Sequence, residues 1–381
     1  MKRIFWGLVA ICLIVGFVPV GVQAADLQIE AKSAVLMDAA TGTVLYAHNA
    51  HEALPPASVT KVMTMLLIME AIDSGRIGWN DIVTASENAA AKGGSQVYLK
   101  VGETMAVEEM VKSIAVSSAN DCACALAEHI SGSEAAFVEA MNQKAQELGM
   151  KDTHFVNCTG LDDDPNAKEH KTSAYDIALM SAQLVNHHPD IQKYTTIWMD
   201  TIRNGSFGLS NTNKMVRFYP DCTGLKTGFT SQAGYCLSAT AKRDGMELIA
   251  VVMGCETSQK RFAACKTLLD HGFAAYALIT PKLEQEVKIP VKLGTEPFVL
   301  AVPGQNTPIL IDKAQKHLIT TQIDLEKQVT APVSQGQRLG TLTVKAGEQV
   351  LGQIPLIADS VIPKLTFGQM FRRMLKFTFG G

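Results

Sequence analysis

Near Pro281 the hydrophobic pattern of the chain changes period, and that change limits what the chain can fold into. Before it, apolar residues gather in long stretches, as from Val62 to Ala71 and from Val107 to Gly149. After it, Val287, Ile289, Val291 and Leu293 alternate with polar residues, and the stretches 339–344 and 350–354 do the same among Gly and Pro. A period near 3.6 belongs to helices and a period of 2 to strands. The pattern predicts a mixed helix-and-sheet unit over 25–278 and a small all-β unit over 279–358. With 381 residues the chain has room for both.

Within the first unit, Ser33–Asp38 and Thr43–Tyr46 read as strands joined by a tight turn. Val62–Ala71, rich in Met and Leu, reads as a buried helix. The stretch 107–149 reads as helices broken at Ser117–Asn120 and Ser131–Ser133. Ser173 caps another helix, with Asp176 in its first turn. Gly234–Ala241 and Glu247–Met253 form a hairpin, and Gln259–Phe273 closes the unit as an amphipathic helix.

Both ends carry separate signals. Met1-Lys2-Arg3, an apolar run from Ile4 to Val18 and the small-residue site Val22-Gln23-Ala24 make a secretory leader, predicted to be cut between Ala24 and Ala25. An uncleaved anchor is the alternative, but a run of about 15 residues before Pro19 is short of the roughly 20 a spanning helix needs. At the other end, 359–381 carries Lys364, Arg372, Arg373 and Lys376 and no acid after Asp359. Phe367, Met370, Phe371, Met374 and Leu375 recur there at helical spacing. A basic amphipathic helix of this kind lies in a membrane interface and is drawn to anionic lipid; packing on its own β unit is the alternative. Export places the chain at the extracytoplasmic face of the plasma membrane, attached peripherally through this tail.

A net charge of −3 without a basic block argues against nucleic acid as a partner. Of the eight cysteines, Cys12 leaves with the leader; the other seven show no C-x-x-C pair and no zinc spacing. Most read as small core residues, with a Cys158–Cys222 bridge left open. No histidine motif points to a metal, and no cofactor is implied.

Three short motifs carry the chemistry. In Ser58-Val59-Thr60-Lys61, an i, i+3 spacing on one helix face brings the amine to the hydroxyl. A hydroxyl becomes a nucleophile when a base takes its proton, and lysine does so once burial and a second cation lower its pKa. In Ser118-Ala119-Asn120, a second hydroxyl relays the proton toward a leaving amine, while the amide holds a substrate carbonyl or orients Lys61. In Lys226-Thr227-Gly228, followed by Phe229, lysine and threonine bind a carboxylate and glycine permits close backbone approach. Lys226 also supplies the second cation. Alone, each motif reads equally as a helix cap, a loop or a turn.

Together, in this order and spacing, the three motifs resemble the set shared by penicillin-binding proteins and class A β-lactamases, with Ala119 where Asp is usual. Over nearly its whole length the chain is similar to the low-molecular-mass penicillin-binding proteins, the serine D-alanyl-D-alanine carboxypeptidases. The resemblance includes Gly93-Gly94-Ser95, Gly160-Leu161-Asp162, Thr172–Asp176, Gly224-Leu225, the stretch 336–340 and the tail. It implies an α/β (α+β) transpeptidase-like domain with a five-stranded antiparallel sheet between helices. It also implies that Ser58 is acylated, that Lys61 is its base, and that Ser118 and Asn120 form the second wall. Lys226 and Thr227 then bind the terminal carboxylate, and the N–H groups of Ser58 and Phe229 form the oxyanion hole. The implied substrate is a peptidoglycan stem peptide ending in D-Ala-D-Ala, with β-lactams acylating the same serine. A β-lactamase is the competing reading, but the Glu-x-x-Leu-Asn segment expected between Asn120 and Lys226 is missing, and Gly160–Asp164 is patterned differently. A non-catalytic penicillin-sensing or wall-binding protein would keep the cleft and lose turnover.

Overall fold

The computed structural model describes residues 27–163, 166–305 and 307–379; the leader of the sequence reading lies outside them. The first unit is built on five antiparallel strands: β1 (Ser33–Asp38), β2 (Val44–His48), β3 (Cys222–Thr230), β4 (Gly234–Arg243) and β5 (Met246–Cys255). Their spatial order is β2-β1-β5-β4-β3. The apolar run along β5 serves both faces. Ile249, Val251 and Met253 enter one core, while Leu248, Ala250 and Val252 enter the other. Continuous hydrophobicity is what a strand covered on both sides requires.

Seven helices of eight residues or more frame the described chain: α1 (Lys61–Asp73), α2 (Val107–Ser117), α3 (Asn120–Ser131), α4 (Glu134–Glu147), α5 (Ala174–His187), α6 (Ser258–Ala275) and α7 (Phe367–Phe379). Helix α6 covers one face of the sheet. Helices α1 and α5 cover the other, with α2–α4 packed beyond them. Helix α1 is buried on every side from Val62 to Met69, so its sequence has no polar stripe. Ser133 and Ser173 cap α4 and α5 by accepting the N–H groups of Ala136 and Asp176.

The second unit is a six-stranded sheet. From edge to edge it runs Ile319–Leu325, Arg338–Ala346, Gln349–Ala358, Phe298–Pro303, Val287–Lys292 and Val329–Thr330. It encloses its own core of Ile289, Val299, Leu339, Val344 and Leu356. The chain enters through strand Tyr276–Ile279, continuous with α6 and paired with Ile309–Asp312. Ile362 is buried in the β core, and Val333↔Ile362 and Gly294↔Lys364 bridge across.

The cysteines at 122, 124, 158, 222, 236, 255 and 265 are free. The Cys158–Cys222 bridge left open by the sequence is not formed: the Cys158 thiol donates to Glu134, and the Cys222 thiol to the carbonyl of Gly224.

Candidate active site

Ser58 lies in a 3-10 turn, Ala57–Thr60, that runs directly into α1. Side chains at i and i+3 eclipse in such a turn, and Lys61 Nζ stands 3.0 Å from Ser58 Oγ. The sequence reading put this pair on an α-helical face; the tighter turn achieves the contact instead. Ala57 has a left-handed backbone, φ +48°, a conformation that L residues adopt at a cost. It is held by Thr60 Oγ1, which donates to the Ala57 carbonyl at 2.8 Å and contacts His170 Nε2 at 2.8 Å. On the other side, Gly160 at φ +80° presses its backbone against the same carbonyl. A Cβ there would lie 1.9 Å from Ala57 O.

Lys61 is fully buried. Besides Ser58 it donates to the carbonyl of Thr159 at 2.8 Å. Burial pushes its pKa down to about 7, against the opposing pull of Cys158 and Asp121. Burial is the leading cause, and Lys226, to which the sequence reading gave a share in this, repels an ammonium on Lys61 as Lys61 repels one on Lys226. Lys226 is driven well below its ordinary value by burial, then by Lys61 and Arg261.

Ser118 closes α2 with φ +65°, another backbone held off its preferred region beside a reactive centre. Among the described residues, Ser118 Oγ and Asn120 Oδ1 are buried without a hydrogen-bond partner. Groups so placed are completed by a ligand or solvent. Asn120 Nδ2 is already committed to the carbonyl of Gly93 at 2.7 Å, and the Asn120 N–H to that of Ser95 at 2.7 Å. Oδ1 is therefore an open acceptor, while only one of the two Nδ2 hydrogens is committed, so the amide keeps a donor as well.

Strand β3 is the sheet edge beside the Ser58 turn. A Cβ on Gly228 would lie 2.6 Å from Pro56 O and 3.1 Å from Ser58 N, so only glycine lets the strand lie this close. Lys226 Nζ donates to the carbonyl of Thr227 at 2.8 Å. Thr227 Oγ1 meets Thr212 Oγ1 at 2.7 Å. Arg261 donates to the carbonyls of Gly228 and Cys236, tying β3 to β4. Phe229 is 54% exposed and stacks on Tyr235 with ring centroids 4.3 Å apart.

The structure thus gathers the three motifs into one cleft. A hydroxyl stands beside an amine whose pKa burial lowers to about 7. A second hydroxyl stands across from it, and a buried lysine and a threonine lie on the strand alongside. That set fits acyl transfer to serine from a substrate carrying a carboxylate. Sequence reasoning missed Thr159, Thr212 and His170. Thr212 follows the Ser-Asn pair at 210–211, and nothing in its surroundings marks it before the fold brings it to Thr227.

Residues 20–257 match the family described as D-alanyl-D-alanine carboxypeptidase, and residues 279–364 the family described as penicillin-binding protein 5, C-terminal domain. The chain is 41% identical to D-alanyl-D-alanine carboxypeptidase DacF of Bacillus subtilis, over 98% of each. It is 33% identical to the Escherichia coli carboxypeptidase DacD, over 91% of this chain and 90% of the relative. Among solved structures, penicillin binding protein 5 from Haemophilus influenzae superposes with a TM-score of 0.76 at 32% identity, covering 90% of this chain and 100% of that one. Penicillin-binding protein D2 from Listeria monocytogenes, in its ampicillin-bound form, gives 0.60 at 32% identity, covering 65% and 100%.

Proposed function

Because the chain belongs to the D-alanyl-D-alanine carboxypeptidase family, we propose that it removes the terminal D-alanine from peptidoglycan stem peptides through an acyl-enzyme on Ser58. The observation that carries this reading is the 3.0 Å contact between Ser58 Oγ and the Nζ of a fully buried Lys61. Neutral Lys61 takes the Ser58 proton, and Oγ attacks the carbonyl carbon of the penultimate D-alanine. The N–H groups of Ser58 and Phe229 stabilise the oxyanion; losing one such donor costs typically about 2.7–4 kcal/mol. The C–N bond breaks, and Ser118 relays a proton to the departing amine. Water then opens the ester and frees Ser58. Lys226 and Thr227 receive the substrate carboxylate, whose charge offsets the repulsion from Lys61 and Arg261 that disfavours a charged Lys226. The Asn120 amide, with Oδ1 open and one Nδ2 hydrogen uncommitted, pairs with the backbone of the stem peptide. β-Lactams, acylating the same serine, form an ester that leaves slowly.

The direct test is D-alanine release from a diacyl-Lys-D-Ala-D-Ala peptide by the purified enzyme, with benzylpenicillin adducts mapped by mass spectrometry. Release together with an adduct on the Ser58 peptide supports the reading; an adduct without release points to a penicillin sensor. A base with a pKa of about 7 also fixes the sign of the pH dependence. Protonated Lys61 cannot accept the serine proton, so the acylation rate falls roughly tenfold per pH unit below that point. A flat rate from pH 7.5 to 5 would overturn lysine as the base.

The reading places the enzyme on the extracytoplasmic face of the plasma membrane. Helix α7 leaves Phe367 81% and Met374 61% exposed, surface that a packed helix would have covered. Arg373, for its part, folds back onto the carbonyls of Gly294 and Thr295. No helix among the described residues is long and apolar enough to cross a membrane. Truncation after Leu365 keeps Ile362 in the β core and removes the helix. It is expected to abolish binding to vesicles containing anionic phospholipid while leaving hydrolysis of the soluble peptide unchanged; undiminished sedimentation with vesicles would refute attachment through the tail.

A further inference from the structure

Both walls of the cleft are held from behind by the same carboxylate. On one wall, the segment Asn157–Leu161 presents the Thr159 carbonyl to Lys61 Nζ and the Cys158 carbonyl to Thr64 Oγ1, at 2.8 and 2.6 Å. The back of this segment is fixed by Cys158. Its N–H and its thiol both donate to Glu134 Oε1, at 3.4 and 3.2 Å. The other oxygen of Glu134 accepts from Lys92 Nζ at 2.6 Å, from Asn88 Nδ2 at 3.2 Å and from the Cys124 thiol at 3.6 Å. Lys92 immediately precedes Gly93, whose carbonyl holds Asn120 Nδ2. One ion pair therefore joins Lys61, through Cys158 and Thr159, to Asn120, through Lys92 and Gly93.

The pair is well suited to this task. Both side chains are largely covered, 14% exposed for Glu134 and 19% for Lys92, so solvent screening is weak. Burial works against the charge on Glu134, but the hydrogen bond and charge of Lys92 outweigh it and keep the carboxyl below its ordinary range. Glu134 is also the first residue of α4, next to the cap Ser133, where a carboxylate is favoured by the helix dipole. The two residues line a pocket of about 270 Å³ together with Asn157 and Thr159. On that side the segment meets open space, so packing alone does not fix it.

We propose that Glu134 and Lys92 form a positioning pair that sets Lys61 against Ser58 and, by the same link, Asn120 against the substrate. Neither residue touches the reacting atoms. The proposal rests on Lys61 being the base, and its consequences separate from that reading. Glu134→Gln leaves the Lys92 ammonium uncompensated and loosens the Thr159 carbonyl from Lys61. Both changes disfavour protonated Lys61, which is otherwise faced by Cys158, Asp121 and Lys226.

The test measures benzylpenicillin acylation against pH for wild type, Glu134→Gln, Glu134→Asp, Lys92→Met and Lys61→Gln, with thermal melting of each. Glu134→Gln is expected to acylate roughly 10- to 100-fold more slowly, the scale of a displacement near 1 Å. Its acid limb is expected to move to lower pH by about half a unit or more. Glu134→Asp, which keeps the charge, recovers part of the rate. A merely structural role would lower the melting temperature and leave the limb in place. A folded Glu134→Gln with wild-type rate and limb overturns the proposal. If Glu134→Gln does not fold, Lys92→Met decides in the same way. A wild type without an acid limb, or an active Lys61→Gln, instead overturns Lys61 as the base.

Discussion

Ser58→Ala is expected to release no measurable D-alanine, a loss of roughly 10⁴-fold or more, the scale seen when a serine nucleophile is deleted from a working triad. It also forms no benzylpenicillin adduct. The fold should barely notice. Ser58 is half-buried at the cleft, and its Oγ accepts from Lys61, which keeps the Thr159 carbonyl as a second acceptor. Removing a hydroxyl from such a position costs at most about 1 kcal/mol, so the melting temperature should change by only a few degrees. Activity that survives in Ser58→Ala would mean that another residue forms the acyl-enzyme, and Ser118 would be the next to remove. A large loss of both activity and stability would show that the turn itself had failed.

The second large effect is expected at a residue without a side chain. Gly160→Ala places a methyl carbon where the Ala57 carbonyl now sits, 1.9 Å away, with Thr60 Oγ1 at 2.7 Å and a backbone φ of +80°. No rotamer relieves this, because the obstacle is backbone. Overpacking costs typically about 1–3 kcal/mol, and the left-handed backbone adds about 1–2 kcal/mol for a residue with a Cβ. The sum, roughly 2–5 kcal/mol, corresponds to a fall in melting temperature of roughly 5–20 °C for a unit of this size. The consequence for activity is more telling. Whatever part of the clash is relieved by movement is relieved at Ala57, next to the nucleophile, so D-alanine release falls even at temperatures where the variant is folded. Gly42→Ala is the control: φ is also positive there, but no atom lies within 4 Å. It should lose a little stability and no activity. Equal behaviour of the two variants would show that the abutment of Gly160 on the turn is not what holds Ser58.

How far the sequence foretold this site follows from what kind of contact each residue makes. Ser58 and Lys61 were legible because they stand three positions apart, and local helical geometry dictates their meeting. Ser118 was legible as a break between two helical stretches. Gly228 was legible as a place for close approach, although its partner, the Ser58 turn, was not. The serine caps at 133 and 173 and both faces of β5 follow from rules that act over a few residues. Thr159, Thr212, His170, Glu134 and Lys92 were silent for the opposite reason. Their partners lie from 15 to about 110 positions away, and a carbonyl oxygen carries no residue-type signature at all. Asn120 shows a third case. Its presence in the cleft was readable, but the bond from its amide to the Gly93 carbonyl was not, because no local pattern encodes that contact. Beyond the alternating stretches, Ile362 stands alone, too short a signal to read, and only its burial joins it to the β core.

The junction between the two units has a mechanical meaning. Helix α6 passes into strand Tyr276–Ile279 without an intervening loop, that strand pairs with Ile309–Asp312, and Lys313 Nζ donates to the carbonyl of Phe273 across the junction. At the far end, Arg373 clasps Gly294 and Thr295. A linker of Gly and Ser would let the cleft sweep a volume, whereas a braced junction of this kind resists swinging. If the tail tethers the enzyme as proposed, that stiffness turns height above the lipid into a selection rule. Strands of wall passing at the level of the cleft would then lose their last alanine, and strands nearer or farther would keep it, whatever their chemistry.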